Sequence, residues 1–541
     1  MKSIRITNLR SLADTGDVDL RPITLLLGRN SSGKSTFLRT LPLLRQSVES
    51  RTSGPILWFG RFVDFGDFGD AVRVDAVPPL ISLEFQFNLP WMSRYSSVIR
   101  RPDGTISSAP SDLDVSVTIE LTQDDKDGTT RASRCHIAAA DHSIQLHFDR
   151  AGRVTQFVVN SSNVLDLGSD YTLLPSSYFI PQIQEKVTSE RAADPFEGRR
   201  LPRRMGRVRS TLLRELRPLF HANTKIVTVS RVSARLGLSS SEQMLERMKR
   251  AGADNKTYRR RVASLSLNHP KFRRIRDLQV AAMVPRLLDS IDQYFLHFSS
   301  GITYMAPLRA RAERYYRPQD LSVEEVDFQG ANLPMFIRNL TDSEVKGFSA
   351  WTEENLGFSV VARFSGGHIS LLAREVSSGN EYNVSDVGFG LSQVLPIAAQ
   401  LWDLSRNRRR RTRRSPTSVS MISDRAEGIP LLFAIEQPEL HLHPGLQARV
   451  TDLLLAAVRA ARNAGHDLRL VVETHSETMV NHLGHRIAVD GVDPSDIQVV
   501  VFDQVEPDLT EVRLVEYDSE GFLRNWPFGF FEPDQYSMYG P

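Results

Sequence analysis

The stretch Ile23-Thr24-Leu25-Leu26-Leu27, followed by Gly28-Arg29-Asn30-Ser31-Ser32-Gly33-Lys34-Ser35-Thr36, decides how this sequence is read. The first five residues form a continuous apolar run, as in a strand buried on both faces. The next nine match G-x-x-x-x-G-K-[ST] without a gap, and Phe37, Leu38, Leu41 and Leu44 then recur at helical spacing. Strand, glycine loop and helix in that order make a phosphate loop. Its glycines let the backbone curl so that N–H groups face phosphate oxygens, and the helix N-terminus adds positive dipole. Gly28, Asn30, Ser31, Ser32, Gly33 and Thr36 are therefore expected to line a phosphate site. In such loops the lysine reaches the β- and γ-phosphates and the following hydroxyl holds Mg²⁺. Those roles fall to Lys34 and Ser35.

A second half-site is expected downstream. Leu431-Leu432-Phe433-Ala434-Ile435-Glu436 is a hydrophobic strand ending in a carboxylate, as a second metal-coordinating element requires, which makes Glu436 a candidate Mg²⁺ ligand. Gln437-Pro438-Glu439-Leu440-His441-Leu442-His443-Pro444 follows, and after one helix comes Val471-Val472-Glu473-Thr474-His475-Ser476. A histidine at the end of the next strand suits a residue sensing the γ-phosphate, so His475 joins the candidates. His441 and His443, at strand spacing beside a proline, read as a structured loop rather than metal ligands.

The composition of the 541 residues, 41% hydrophobic and 24% charged, is that of a globular chain of three or four compact units. One cysteine, Cys135, excludes an internal disulfide framework and a cysteine-rich zinc site, which suits a reducing cytoplasm. MKSIRITNLRSL lacks the continuous apolar core of a secretory signal. No run of about 18 apolar residues occurs, so no membrane span is expected. The formal net charge of +3 hides a segregation. Residues 191–276 hold 23 Lys or Arg against 6 Asp or Glu, a net of +17, which leaves −14 for the remainder. Residues 406–414 hold seven arginines in nine positions. Such runs cannot pack in a core. They are either solvated faces or surfaces for phosphate groups, where each neutralised phosphate releases counterions.

Alternation of period two in LISLEFQF, LDVSVTIELT, HSIQLHFD and RVTQFVVN, over residues 79–160, predicts an antiparallel sheet. The basic segment reads as helical, with Pro270 and Pro285 limiting how far any one helix can run. Strand–helix–strand alternation returns late in the chain, with helices over about 391–404 and 445–463 and strands over 431–435 and 468–472, and predicts a parallel α/β sheet. Neither an internal repeat nor a long coiled-coil arm is visible.

With these residues in place, the chain resembles the ABC-type ATPases of the SMC, RecF and OLD class. Asn8-Leu9-Arg10-Ser11 resembles their N-F-R-S strand end, which implies a phosphate-proximal role for Arg10. Val387-Gly388-Phe389-Gly390-Leu391-Ser392-Gln393 resembles their signature loop, normally L-S-G-G, which implies nucleotide contacts from Gly388, Gly390 and Ser392. Tyr304-Met305-Ala306-Pro307-Leu308-Arg309 and Trp526-Pro527-Phe528-Gly529-Phe530-Phe531 look like marks of a subgroup. The implied fold is α/β: a P-loop ABC-type ATPase head with a mixed and parallel core sheet, an antiparallel β subdomain and a mostly helical basic insertion. Its expected parts are residues 1–185 (phosphate loop and antiparallel subdomain), 186–300 (basic insertion), 301–480 (signature, Glu436 and His475) and 481–541 (α/β extension).

The resemblance also implies ATP and Mg²⁺ as cofactors and a homodimer sandwiching ATP, with the signature serine of one protomer completing the site of the other. The family's second acidic strand usually ends Asp-Glu, where this chain has Glu436-Gln437. An amide can orient water but cannot accept a proton, so Gln437 is a poor general base, and losing a positioned base costs ~10²–10⁴-fold in rate. Either Glu439 substitutes or hydrolysis is slow, and the latter is favoured. OLD-type nucleases carry a further Toprim domain, and the 66 residues after His475 are too few for one. The chain is expected to regulate or position a partner effector nuclease, as ATPases of Septu systems and retrons do in antiphage defence. The basic segments 191–276 and 406–414 would serve as a docking or nucleic-acid-binding arm. A RecF-like DNA clamp and a non-hydrolysing nucleotide-sensing scaffold are the alternatives.

Overall fold

A computed structural model describes the chain apart from residues 51, 92–98, 101–105, 108–110, 125, 175–178, 187–204, 253–254, 319–321, 377, 388, 407–427, 507–508, 528–529 and 531–541. Gly388, the start of the basic segment 191–276 (191–204, with 253–254) and all of the arginine run 406–414 but Arg406 thus lie outside the described residues. The chain folds as two compact units: Met1–Ile4, Ser47–Leu57 and Gly66–Leu296 form one, and Arg5–Gln46, Trp58–Phe65 and His297–Pro541 the other.

The first unit is built on an antiparallel meander. Ile81–Trp91, Ser111–Gln123, Thr130–Ala139, His142–Phe148 and Val154–Val159 pair in chain order, as the alternation requires. Ile81, Leu83, Phe85, Phe87, Leu89 and Trp91 share one buried face. A 31-residue helix, Pro270–Ser300, covers it, stacking Tyr294 on Phe87 at 4.2 Å and setting Phe295 edge-on to Phe85 at 4.8 Å. This helix overturns the expected proline limits. Pro270 opens it, where a missing N–H costs nothing. Pro285 removes one hydrogen bond, which burial of Val284, Leu287 and Leu288 offsets.

The start of the long helix carries four of the 23 basic residues of 191–276, and four shorter helices carry 12 more: Gly206–Leu216, Ile226–Leu236, Ser241–Ala251 and Lys256–Ala263. Each buries one apolar stripe at helical spacing, such as Val208, Leu212 and Leu216, or Val229, Val232 and Leu236. Ser240 and Asn255 cap the last two by accepting the Gln243 and Tyr258 N–H groups. Asp277 fastens the long helix to the meander, accepting from Asn160 Nδ2 at 2.6 Å and Ser162 Oγ at 2.8 Å. Cys135 is buried in the Thr130–Ala139 strand, and desolvation pushes its thiol up to about 12.

The second unit is α/β. Its sheet runs in the order Ser3–Leu9, Leu12–Asp14, Leu509–Tyr517, Ile497–Glu506, Ile23–Gly28, Leu468–Glu473, Leu431–Glu436, Ile302–Met305. The last five are mutually parallel. Lys34–Glu49, Pro444–Asn463 and Glu477–Asp490 are helices that follow three of these strands. Ile497–Glu506 lies directly beside the phosphate-loop strand, so the expected boundary at 480 cuts through one sheet. Similarly, the antiparallel strands and the basic helices fall in one unit rather than two. A small antiparallel sheet of Phe358–Ser365, His368–Glu375 and Glu381–Asn383 completes this unit with helices Asp342–Leu356 and Phe389–Arg406. Among the described residues no helix is long and apolar enough to cross a membrane.

Candidate active site

The buried strand Ile23–Gly28 delivers the chain into the phosphate loop, and helix Lys34–Glu49 leaves it. Two glycines are dictated by space. A Cβ on Gly28 would run into the Phe502 carbonyl and Ser32 Oγ. One on Gly33, at φ +90°, would lie 2.6 Å from Leu12 Cδ2. Ser31 adopts φ 63°, a left-handed conformation kept where structure demands it. Lys34 is 3% exposed, and its Nζ donates to the Arg29 carbonyl at 2.5 Å. Burial lowers its pKa, while Glu473 and Glu439 work against that shift. Ser32 Oγ is buried with no hydrogen-bond partner among the described residues. Asn30 is exposed and Thr36 is buried, its carbonyl accepting from Thr40.

The strand ends Glu436 and Glu473 pair in parallel register, with Glu473 on the strand next to the phosphate-loop strand and opposite Leu26. Glu473 is 2% exposed and accepts from Ser35 Oγ at 2.8 Å. Burial, then the Glu436 charge, pushes its carboxyl up to about 7. Glu436 is equally buried but held differently. Arg39 grips it in a two-pronged fork, Nε and Nη2 each at 2.8 Å, and Tyr304 Oη donates to it at 2.7 Å. That hydrogen bond to Glu436 raises the Arg39 pKa, and burial raises that of Tyr304. Arg309, 5% exposed, donates from Nη2 to the Glu436 carbonyl at 2.8 Å and to the Gln437 carbonyl at 3.3 Å. Burial brings its pKa down to about 10.

Beyond the strand end the backbone is strained. Gln437 sits at φ 43° and His441 at φ 64°, and Gln437 N–H donates to the Glu473 carbonyl at 2.8 Å. Glu439 Oε1 accepts the His475 N–H at 2.7 Å, which ties this turn to the end of the Leu468–Glu473 strand. Burial raises the Glu439 pKa, with the His475 N–H opposing. The His475 pKa is lowered, first by burial and then by Lys34. His443 caps helix Pro444–Asn463, its side chain accepting from Gly445 N–H.

Lys34, Ser35, Glu436, Glu439 and His475 thus come from three separate stretches to one end of the parallel sheet. Arg10 lies with its guanidinium 4.5 Å over the Phe65 ring. The signature helix begins at Phe389, two residues earlier than the expected start at about 391, so its positive end lies at 389–391. Ser392 is 6% exposed, and Gly390 packs toward Leu442 and the His441 carbonyl. Glu473, Arg39, Tyr304 and Arg309 were not among the sequence-based candidates. Glu473 had a readable signal, since LRLVVE ends in an acid as LLFAIE does. Arg39 lies one turn along the helix from Ser35.

Residues 331–480 match the family described as AAA ATPase domain. The chain carries an ATPase domain. Among curated proteins none matches this sequence. Among solved structures, the SMC head domain from Thermotoga maritima is 10% identical over 95% of this chain and 97% of that one, with a TM-score of 0.34. A Smc head domain bound to the C-terminal domain of ScpA, from Pyrococcus furiosus, is 10% identical over 95% and 96%, at TM-score 0.33. The recombination mediator protein RecF is 10% identical over 94% and 97%, at 0.29. At such identities and scores the likeness does not extend to activity or partners.

Proposed function

We propose that this chain binds ATP with Mg²⁺ at residues 28–36, hydrolyses it, and uses the nucleotide to switch between monomer and ATP-sandwiched homodimer. One observation carries the reading: Lys34, Ser35, Glu473, Glu439 and His475 converge on one strand-end cluster around a phosphate loop. The buried Ser32 Oγ, without a partner among the described residues, and the Ser35–Glu473 pair fit a polyphosphate and its cation. The bound ion would neutralise phosphate charge. Lys34 would hold the β- and γ-phosphates, and the exposed His475 ring would meet the γ-phosphate. Ser35 is the loop's cation ligand. Glu436, expected to be a second, could join only by giving up the Arg39 fork.

Gln437 cannot accept a proton, whereas Glu439 can. Its burial raises its affinity for a proton, and it lies within electrostatic reach of Lys34. Glu439 is therefore proposed as the general base, in place of the slow hydrolysis expected from Gln437. Gly388, Gly390 and Ser392, with the start of helix Phe389–Arg406, would close the partner protomer's site.

The family resemblance supplies the setting: regulation of a partner effector nuclease in antiphage defence, with the basic helices as the docking arm. A RecF-like grip on DNA draws on the same helices. Solution mass with and without ATP tests the switch. The wild type is expected to double in mass with ATP and Lys34→Ala to stay monomeric, and ATP-independent monomers throughout would sink it. Co-purification of a nuclease encoded beside the gene supports the defence setting, and ATP-dependent DNA retention by the chain alone supports the clamp.

A further inference from the structure

We infer that Glu473, rather than Glu436, is the protein carboxylate of the divalent-cation site, an assignment that rests on the ATP-binding reading above. The phosphate loop offers a cation one hydroxyl, Ser35 Oγ, and that hydroxyl already touches Glu473 Oε1 at 2.8 Å. Glu473 Oε2 is buried and has no hydrogen-bond partner among the described residues. An open oxygen on a side chain 2% exposed is costly unless a ligand satisfies it. Glu436 has no such opening, because Arg39 and Tyr304 engage both of its oxygens.

Topology points the same way. Glu473 stands on the strand hydrogen-bonded to the phosphate-loop strand, whereas Glu436 stands one strand further away. Among the described residues no three His, Cys, Asp or Glu side chains form a cage for a metal. The cation must therefore complete its shell from phosphate oxygens and water, as Mg²⁺ does with one or two carboxylates. Glu436, Arg39 and Tyr304 then act as a positioning cluster. They hold the strand end and neutralise a second buried charge that would otherwise face Glu473.

The test uses the full chain, Mn²⁺ as a paramagnetic stand-in for Mg²⁺, and the non-hydrolysable nucleotide AMP-PNP. Mn²⁺ affinity of the nucleotide complex is read by electron paramagnetic resonance, without turnover. Glu473→Gln is expected to weaken Mn²⁺ binding about tenfold or more, the loss that even an outer-shell partner brings, and to cost more than Glu436→Gln. Affinity within threefold of wild type, or the reverse order of the two variants, overturns the assignment. Were Glu473→Gln not to fold, Glu473→Asp, which shortens the reach by one methylene, must weaken Mn²⁺ at least threefold; equal affinity overturns it. Failure of the wild type to bind AMP-PNP at all, with or without Mn²⁺, instead removes the ATP reading on which the assignment stands.

Discussion

Replacing Glu439 by Gln separates proton acceptance from architecture at this site. The amide keeps the shape of the side chain, and its oxygen can still accept the His475 N–H that Glu439 Oε1 now takes at 2.7 Å. Only the capacity to take a proton is lost. That capacity is built in, because burial raises the Glu439 pKa and so strengthens its affinity for a proton. Gln437, the neighbour that family comparison would make the base, has no such capacity. A positioned base contributes ~10²–10⁴-fold, equivalent to about 3–5 kcal/mol of barrier at 1.36 kcal/mol per decade. Glu439→Gln is thus expected to lower steady-state phosphate release from saturating Mg·ATP by at least about a hundredfold. Nucleotide affinity, measured separately, should move far less. Turnover within threefold of wild type, combined with a marked rise in Gln437→Glu, would refute the reasoning and return the base position to residue 437.

Three further outcomes concern the scaffold. Gly28→Ala forces a Cβ against the Phe502 carbonyl, and overpacking of this kind costs about 1–3 kcal/mol, visible as a lower thermal midpoint and weakened ATP binding. Phe295→Ala removes the ring that meets Phe85, Phe87 and Phe179, and should destabilise the first unit by about 3–5 kcal/mol in urea. Asp292 is 8% exposed, and burial, aided by Asp289, raises its pKa to about 6. A raised carboxyl favours the folded state below its unfolded value of 3.8 and loses that contribution as pH rises through about 6. Asp292→Asn, whose amide oxygen can still accept the Ile180 N–H, should therefore gain up to about 3 kcal/mol on wild type between pH 4 and 7. Urea midpoints across that range check it, and parallel pH profiles would contradict it.

Much of this fold was legible because period and context agree. The alternation in LISLEFQF fixes a half-buried strand, and the apolar ITLLL run followed by a glycine loop fixes a fully buried one. Where tertiary packing overrides local rules, the sequence misleads. Pro285 reads as a break, yet it lies inside a helix whose buried neighbours outweigh one lost hydrogen bond. Ile497–Glu506 looked like an appendage after His475, because nothing local shows that it pairs with Ile23–Gly28. The site divides similarly. Lys34 and Ser35 follow from a contiguous motif, whereas the Arg39–Glu436 fork and the Ser35–Glu473 contact join residues 397 and 438 positions apart. Spacing in one sequence does not encode such pairs.

Equilibrium binding of ATP to the wild type and to Lys34→Ala tests the central claim most directly. A charge-assisted hydrogen bond contributes about 1.5–3 kcal/mol, or roughly 10- to 150-fold in affinity. The wild type is expected to bind ATP at one site per chain and Lys34→Ala to bind at least about tenfold more weakly. Equal affinity in the two proteins, or no ATP binding by the wild type, would contradict it.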